Sequence, residues 1–321
     1  MGSSGGDYPA IAIAGPTASG KSALGLILAE AFGGEIVNYD SIQLFRYLDI
    51  GSAKPSLVDR ARIPHHLIDV LDPWEIPTAG DYQRRARSVL ADIRGRGRLP
   101  ILVGGTGLYL RAALEGFFEG PGRSEYWRGR LADIADRRGR EHLHRILRRL
   151  DESTASRLAP RDTQKIIRAL EVRLETGRPL SSHLVERPRN PLEGFRVTTI
   201  GLGPLRAALY QRIGRRVRRM FESGLVEEVR GLLESGVPPE ASALRAIGYR
   251  QVIGHLLRGI SREDALMSME RETRRYAKRQ MTWFRKQHRV TWFEGFGGEA
   301  ETKDRILRFV HNFLGGFPDG S

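Results

Sequence analysis

Residues 15–22 read GPTASGKS. Gly15, Gly20, Lys21 and Ser22 satisfy the spacing G-x-x-x-x-G-K-[ST], a pattern that cradles phosphate. The glycines let backbone N–H groups face an anion, and a helix N-terminus behind them adds the positive end of its dipole. Lys21 supplies a point charge, and the Ser22 hydroxyl is a ligand for Mg2+. Pro16, Thr17, Ala18 and Ser19 complete the loop. Such loops serve kinases, ATPases and GTPases, and also enzymes that cleave no nucleoside triphosphate. A protein that cuts a γ-phosphate also needs a carboxylate at the end of an apolar strand, for the metal or its water. The apolar run LPILVGG ends in Gly104, Gly105 and Thr106, with no acid. The nearest carboxylate is Asp40, closing EIVNYD. In a parallel sheet both strand ends lie on the carboxyl edge beside the phosphate loop, so Asp40 is placed to reach a reacting centre. The same position suits an N-cap for a following helix, and the residues alone leave both roles open.

These groups need a scaffold. YPAIAIAG (8–15) is a short apolar run ending in glycine, which predicts a buried strand. KSALGLILAEAFGG has helical spacing and a stop at Gly33 and Gly34. Further strands are expected at EIVNYD, HHLIDVLD (65–72) and LPILVGG, the last buried on both faces. TAGDYQRRARSVLADIRGRGR reads as a helix with Thr78 as N-cap, and TGLYLRAALEG begins another. Alternating strands and helices predict an α/β fold, a parallel sheet covered on both sides. The pattern changes at EGPGR (119–123). From there to RPRNP (187–191), a stiff linker, only helical periodicity and dense arginine remain. The expected organisation is a catalytic core from 8–121 and 192–296, interrupted by a helical domain at 122–191. Strand character returns at FRVTTIGLG (195–203). A long helix is expected over 261–288 and a last strand at VTWFEG. Loose ends are expected at 1–7 and 315–321, with MGSSGG set aside as a leader.

Composition narrows the field. No run of 18 or more apolar residues occurs, so no membrane-spanning helix is expected, nor is a secretory signal. Zero cysteine excludes disulfides, Cys-ligated zinc and thiol chemistry, and fits a cytoplasmic protein. The formal net charge of +14 favours a polyanionic partner such as nucleic acid. Arginine outnumbers lysine, as GC-rich coding also produces, so the placement of the charge matters more than its sum.

Taken together, GPTASGKS, NYDSIQLFRYLDIGSAKP, PHHLIDVLDP, GGTGLYLRAALEG, RALEV, RAIGYRQ and AKRQMTWFRK resemble, in order and spacing, the tRNA dimethylallyltransferase (tRNA isopentenyltransferase) family in its bacterial form. The resemblance runs over about residues 10–294. It implies a P-loop kinase-like core with an inserted helical domain. It also implies transfer of a dimethylallyl group from dimethylallyl diphosphate to the exocyclic amine of the adenine just 3′ of the anticodon. Charge then develops on a leaving diphosphate, which fixed donors, Lys21 and Mg2+ stabilise. No water needs activating, which accounts for the acid-free strand end. The adenine amine is a weak nucleophile and benefits from a carboxylate that takes its proton. By resemblance that carboxylate is Asp40, with Thr106 as a second polar contact. Arg216 either completes the diphosphate clamp or is one more solvated arginine.

The target base must leave its stack, and splayed loop bases are then read on their edges. The segments matching the family's contacts with the anticodon stem-loop are Asp40, Ser41, Ile42, Gln43 and Thr106 around the base. Arg128 and the run Gln164, Lys165, Ile166, Ile167, Arg168 belong to the insertion. Arg245, Ala246, Ile247, Gly248, Tyr249 and Arg250 come from RAIGYRQ. Lys278, Arg279, Gln280, Met281, Thr282, Trp283, Phe284 and Arg285 come from KRQMTWFRK. For Phe284 core packing is the better reading. Phe45 stands where the family usually has Tyr, Ser22 replaces the commoner Thr, and the zinc-finger tail of eukaryotic relatives is absent. A monomer is expected. Two other readings compete: an adenylate isopentenyltransferase acting on free AMP, ADP or ATP, and a P-loop kinase or NTPase. The arginine-rich insertion argues against the first and the missing acid against the second.

Overall fold

The structure is a computed structural model that describes residues 7–117, 120–186, 190–287 and 289–315. Its centre is a six-stranded, fully parallel sheet in the order β3-β2-β4-β1-β5-β6. The strands are β1 (Tyr8–Ala14), β2 (Gly34–Asn38), β3 (His65–His66), β4 (Leu99–Val103), β5 (Phe195–Leu202) and β6 (Val290–Phe293). The core of this layer gathers Ile11, Ile13, Leu24, Ile36, Ile101, Val103, Ile200 and Leu202. Strands buried on both faces read as continuous apolar runs, which is why β1, β2 and β4 were legible. The helices of this part are α1 (Lys21–Ala31), α2 (Leu57–Arg62), α3 (Ala79–Gly95) and α4 (Gly107–Glu115). Helices α5 to α9 belong to the insertion: Glu125–Arg138, Arg140–Leu150, Glu152–Ala155, Thr163–Thr176 and Leu180–Glu186. The chain returns through α10 (Arg206–Glu222), α11 (Leu225–Glu234), α12 (Tyr249–Arg258), α13 (Arg262–Arg285) and α14 (Ala300–Leu314).

Two compact units result, residues 114–191 and the remainder. The smaller unit is helical around Leu131, Leu143, Leu147, Ile166, Ala169 and Leu170. Inside it, the fully buried Glu171 accepts from Arg128 at 2.7 and 2.9 Å, from Arg168 at 2.7 Å and from the Ser124 N–H at 2.7 Å. Burial raises the Glu171 carboxyl, but these donors outweigh it and hold the group below its ordinary range.

Several expectations change in detail. The strand expected over 65–72 stops at His66, because Leu67 and Asp69 are left-handed at φ +59° and +57°. It resumes only as a bridge between Phe45 and Leu71. Gly34 opens β2 instead of closing α1. Thr78 caps α3 by accepting the Asp81 N–H at 3.1 Å. The long helix α13 ends at Arg285, and His288 lies outside the described residues. So do 1–6, 316–321, Glu119 of the EGPGR boundary, and 187–189 of the RPRNP linker.

Candidate active site

The loop between β1 and α1 has the conformation that its glycines require. Gly15, Ala18 and Gly20 take φ of +143°, +64° and +93°. Successive turns of this kind point N–H groups into a common concavity. The Thr17 N–H is already taken by Gln280 Oε1 at 2.7 Å, and the Ser19 N–H by the Pro16 carbonyl at 3.3 Å. Among the described residues the N–H groups of Ala18 and Gly20 have no partner. Lys21 folds across the loop and donates to the carbonyls of Gly15 at 3.0 Å and Pro16 at 2.8 Å. Burial pushes the Lys21 ammonium down to about 7, opposed by the charge of Asp40 and helped by that of Arg216. Arg216, half-buried on α10, is itself lowered by burial, with Asp40 opposing and Arg212 adding. Lys21 and Arg216 thus both lie in the field of Asp40, although the three come from separate segments. Arg216 also borders a cavity of about 850 Å³ whose apolar wall includes Tyr47, Ile50, Pro55, Leu57 and Met220.

Asp40 follows β2. No helix comes next, so it is not a helix N-cap; the chain enters a turn in which Asp40 Oδ1 accepts the Ile42 N–H at 2.9 Å. Asn38 fixes its backbone from both sides: Asn38 Oδ1 accepts the Asp40 N–H at 2.9 Å, and Asn38 Nδ2 donates to the Asp40 carbonyl at 3.1 Å. Among the described residues nothing donates to Asp40 Oδ2. Thr106, past the end of β4, meets the same turn, its Oγ1 accepting the Ser41 N–H at 3.0 Å.

The acid-free end of β4 has a steric reason. A Cβ on Gly105 would lie 2.5 Å from Gln280 Nε2 and 3.3 Å from Asp40 Oδ2, and one on Gly107 would lie 2.3 Å from the Trp283 ring. Side chains are absent there so that α13 can close on the strand ends. Gln280 makes the closure: while its Oε1 accepts from Thr17, its Nε2 donates to the Gly105 carbonyl at 2.9 Å. It ties the phosphate loop to the β4 turn. The sequence reading missed Tyr276, one helical turn earlier. Its hydroxyl donates to the Gly105 carbonyl at 3.4 Å, and burial, then the Asp40 charge, push it well above its ordinary range. The i, i+4 spacing of Tyr276 and Gln280 was the available signal.

The remaining candidates divide by burial. Lys278, Arg279, Thr282, Arg285, Arg245 and Arg250 are exposed, and Ser41, Ile42, Gln43, Ala246, Ile247, Met281 and Trp283 are half-buried. Gln280, Phe284, Gly248 and Tyr249 are inside the protein. In the smaller unit Gln164 and Lys165 are exposed and Ile167 is half-buried, while Ile166 belongs to the core. Arg128 and Arg168 are engaged with Glu171.

The IPP transferase family model matches residues 43–287. The chain belongs to this family. It is 49% identical to the tRNA dimethylallyltransferase of Solibacter usitatus, over 96% of this chain and 99% of the relative. It is 52% identical to that of Koribacter versatilis, over 92% and 96%. Among solved structures it is similar to the tRNA isopentenylpyrophosphate transferase of Bacillus halodurans, with a TM-score of 0.70 at 37% identity and 97% of each chain covered. It is also similar to a eukaryotic dimethylallyltransferase acting on tRNA, with a TM-score of 0.81 at 26% identity, covering 98% of this chain and 81% of that one. An IPP transferase built on a P-loop core explains a phosphate loop with no acid at the β4 end. Among the described residues no helix is long and apolar enough to cross a membrane.

Proposed function

We propose that the chain is a prenyltransferase that moves a dimethylallyl group from dimethylallyl diphosphate to the exocyclic amine of the adenine 3′ of the anticodon in tRNA, releasing diphosphate. The observation that carries this is the convergence of Asp40, with one carboxylate oxygen open, on the charges of Lys21 and Arg216 beside a phosphate loop that has no water-activating acid. The allylic C–O bond breaks, and its electron pair stays on the diphosphate. The open N–H groups of the loop, Lys21 and Arg216 hold that charge in place. The amine nitrogen bonds the allylic carbon and gives its proton to Asp40 Oδ2. The apolar wall of the cavity beside Arg216, formed by Tyr47, Ile50, Pro55, Leu57 and Met220, suits a short isoprenoid tail.

Mg2+ fits this chemistry. No cluster of three or more acidic or histidine ligands exists among the described residues, and Ser22 presents an exposed hydroxyl in the first turn of α1. Mg2+ takes most of its ligands from phosphate oxygens and water, so one protein hydroxyl is enough. Bound there, the ion would supply further charge stabilisation to the leaving diphosphate.

The exposed Lys278, Arg279, Arg245 and Arg250 would contact the anticodon stem-loop, with Gln164 and Lys165 of the insertion. We place the enzyme in the cytoplasm, as a monomer. Purified protein given radiolabelled dimethylallyl diphosphate, Mg2+ and unmodified tRNA should label the adenine next to the anticodon. Label on any other nucleotide would overturn the assignment.

A further inference from the structure

One carboxylate outside the site described above is surrounded by donors. Glu228 Oε2 accepts the N–H groups of Asp49 at 2.9 Å and Ile50 at 2.7 Å. Its Oε1 accepts the Gly51 N–H at 3.2 Å and the Tyr249 hydroxyl at 2.7 Å. Three consecutive N–H groups turned to one side form an anion-binding concavity, filled here by the protein's own side chain. Tyr249 is fully buried, and its ring lies so close to Gly51 that a Cβ there would come within 2.5 Å. The tyrosine of RAIGYRQ therefore cannot meet RNA directly; it meets this loop. The loop needs holding, because Tyr47 and Ala53 are left-handed non-glycine residues at φ +66° and +49°. Such conformations persist only where the surroundings determine them.

The held loop has a target. Its carbonyls at Ser52 and Ala53 both accept from Gln43 Nε2, at 3.2 and 3.1 Å. With Nε2 turned to these two carbonyls, the Gln43 amide oxygen is left open, and among the described residues nothing donates to it. Gln43 is half-buried and three residues from Asp40. We propose that Glu228 and Tyr249 are positioning residues that, through the 49–53 loop, lock Gln43 as a hydrogen-bond acceptor facing the target nucleotide. The inference rests on the prenyltransferase reading above. It assigns the segment around Gln43 a sign: it accepts from a base N–H and does not donate.

A double-mutant cycle tests this. Initial rates of prenyl transfer to tRNA are measured for the wild type, Glu228→Gln, Gln43→Ala and the double variant, with thermal melting alongside. Glu228→Gln keeps the size of the side chain but loses the charge that gathers four donors. It should lower kcat/KM for tRNA about tenfold. Because the effect passes through Gln43, the double variant should be no slower than Gln43→Ala alone. Multiplied losses in the double variant, or a Glu228→Gln protein with wild-type kcat/KM and only a lower Tm, would overturn the inference. Should Glu228→Gln fail to fold, Tyr249→Phe keeps the ring against Gly51 and enters the same cycle. Wild-type protein that transfers no prenyl group would instead overturn the reading on which the inference rests.

Discussion

Replacing Asp40 by Asn separates the charge of this residue from its shape. Asp40 Oδ1 closes the turn by accepting the Ile42 N–H, and an amide oxygen can do the same. The turn should therefore survive, and with it the Ser41–Thr106 contact. What disappears is the carboxylate that receives the amine proton. General-base catalysis contributes about 10²–10⁴ in rate, so kcat should fall by that factor, about 2.7–5.5 kcal/mol in barrier. The charge of Asp40 opposes the burial that brings the Lys21 ammonium down to about 7. Its loss lets Lys21 deprotonate at lower pH, so the comparison is best made in mildly acidic buffer. The assay is single-turnover prenyl transfer, with tRNA affinity measured by filter binding. Affinity should stay within about tenfold of wild type, since a single hydrogen bond changes from a charged acceptor to a neutral one. An Asp40→Asn protein with near-normal single-turnover rates would refute the proton-acceptor role. Lost tRNA affinity at an unchanged rate would move Asp40 from chemistry to binding.

Other predictions follow from the same geometry. Diphosphate binds the protonated form of Lys21, whose folded value is depressed to about 7, so affinity for inorganic diphosphate should weaken as pH rises above that value. The slope should be at most about tenfold per pH unit, and Lys21→Met should remove this component in calorimetric titrations. Gly105→Ala forces a Cβ within 2.5 Å of Gln280 Nε2, an amide held at both ends; it should cost about 1–3 kcal/mol in urea unfolding and lower kcat/KM. Glu171→Ala leaves Arg128 and Arg168 without their partner and should destabilise the insertion by about 3 kcal/mol in thermal melts. Because the folded Glu171 value is depressed, its contribution is complete above the ordinary carboxyl range and is lost as pH falls through the folded value. Binding of tRNA should fall steeply with salt, log K declining linearly in log salt; a flat profile would remove the basic contact surface.

Much of the site was legible because it is local. The phosphate loop, Asp40 at the end of β2 and the bare end of β4 are each contiguous stretches whose chemistry follows from residue type and neighbouring periodicity. The parallel sheet was legible because its strands are uniformly apolar. What escaped depends on contacts between distant segments. Tyr276 and Gln280 sit in a helix full of arginine, and only the packing of α13 on Gly105 and Gly107 shows that they face inward. Gln280, Tyr249, Arg128 and Arg168 look like RNA contacts in a basic sequence. In the folded chain the first two hold loops, and the arginines hold Glu171. Strand β3 was overestimated because nothing in the residue types of Leu67 and Asp69 announces a left-handed backbone.

The central claim is that this phosphate loop holds the diphosphate of an isoprenoid and that the acceptor is tRNA. One competition measures it: purified protein, labelled dimethylallyl diphosphate and Mg2+, with unmodified tRNA and AMP together in one reaction. The account predicts that the prenyl group enters tRNA, on the adenine 3′ of the anticodon, while AMP stays unlabelled. Prenylated AMP with unlabelled tRNA would contradict it.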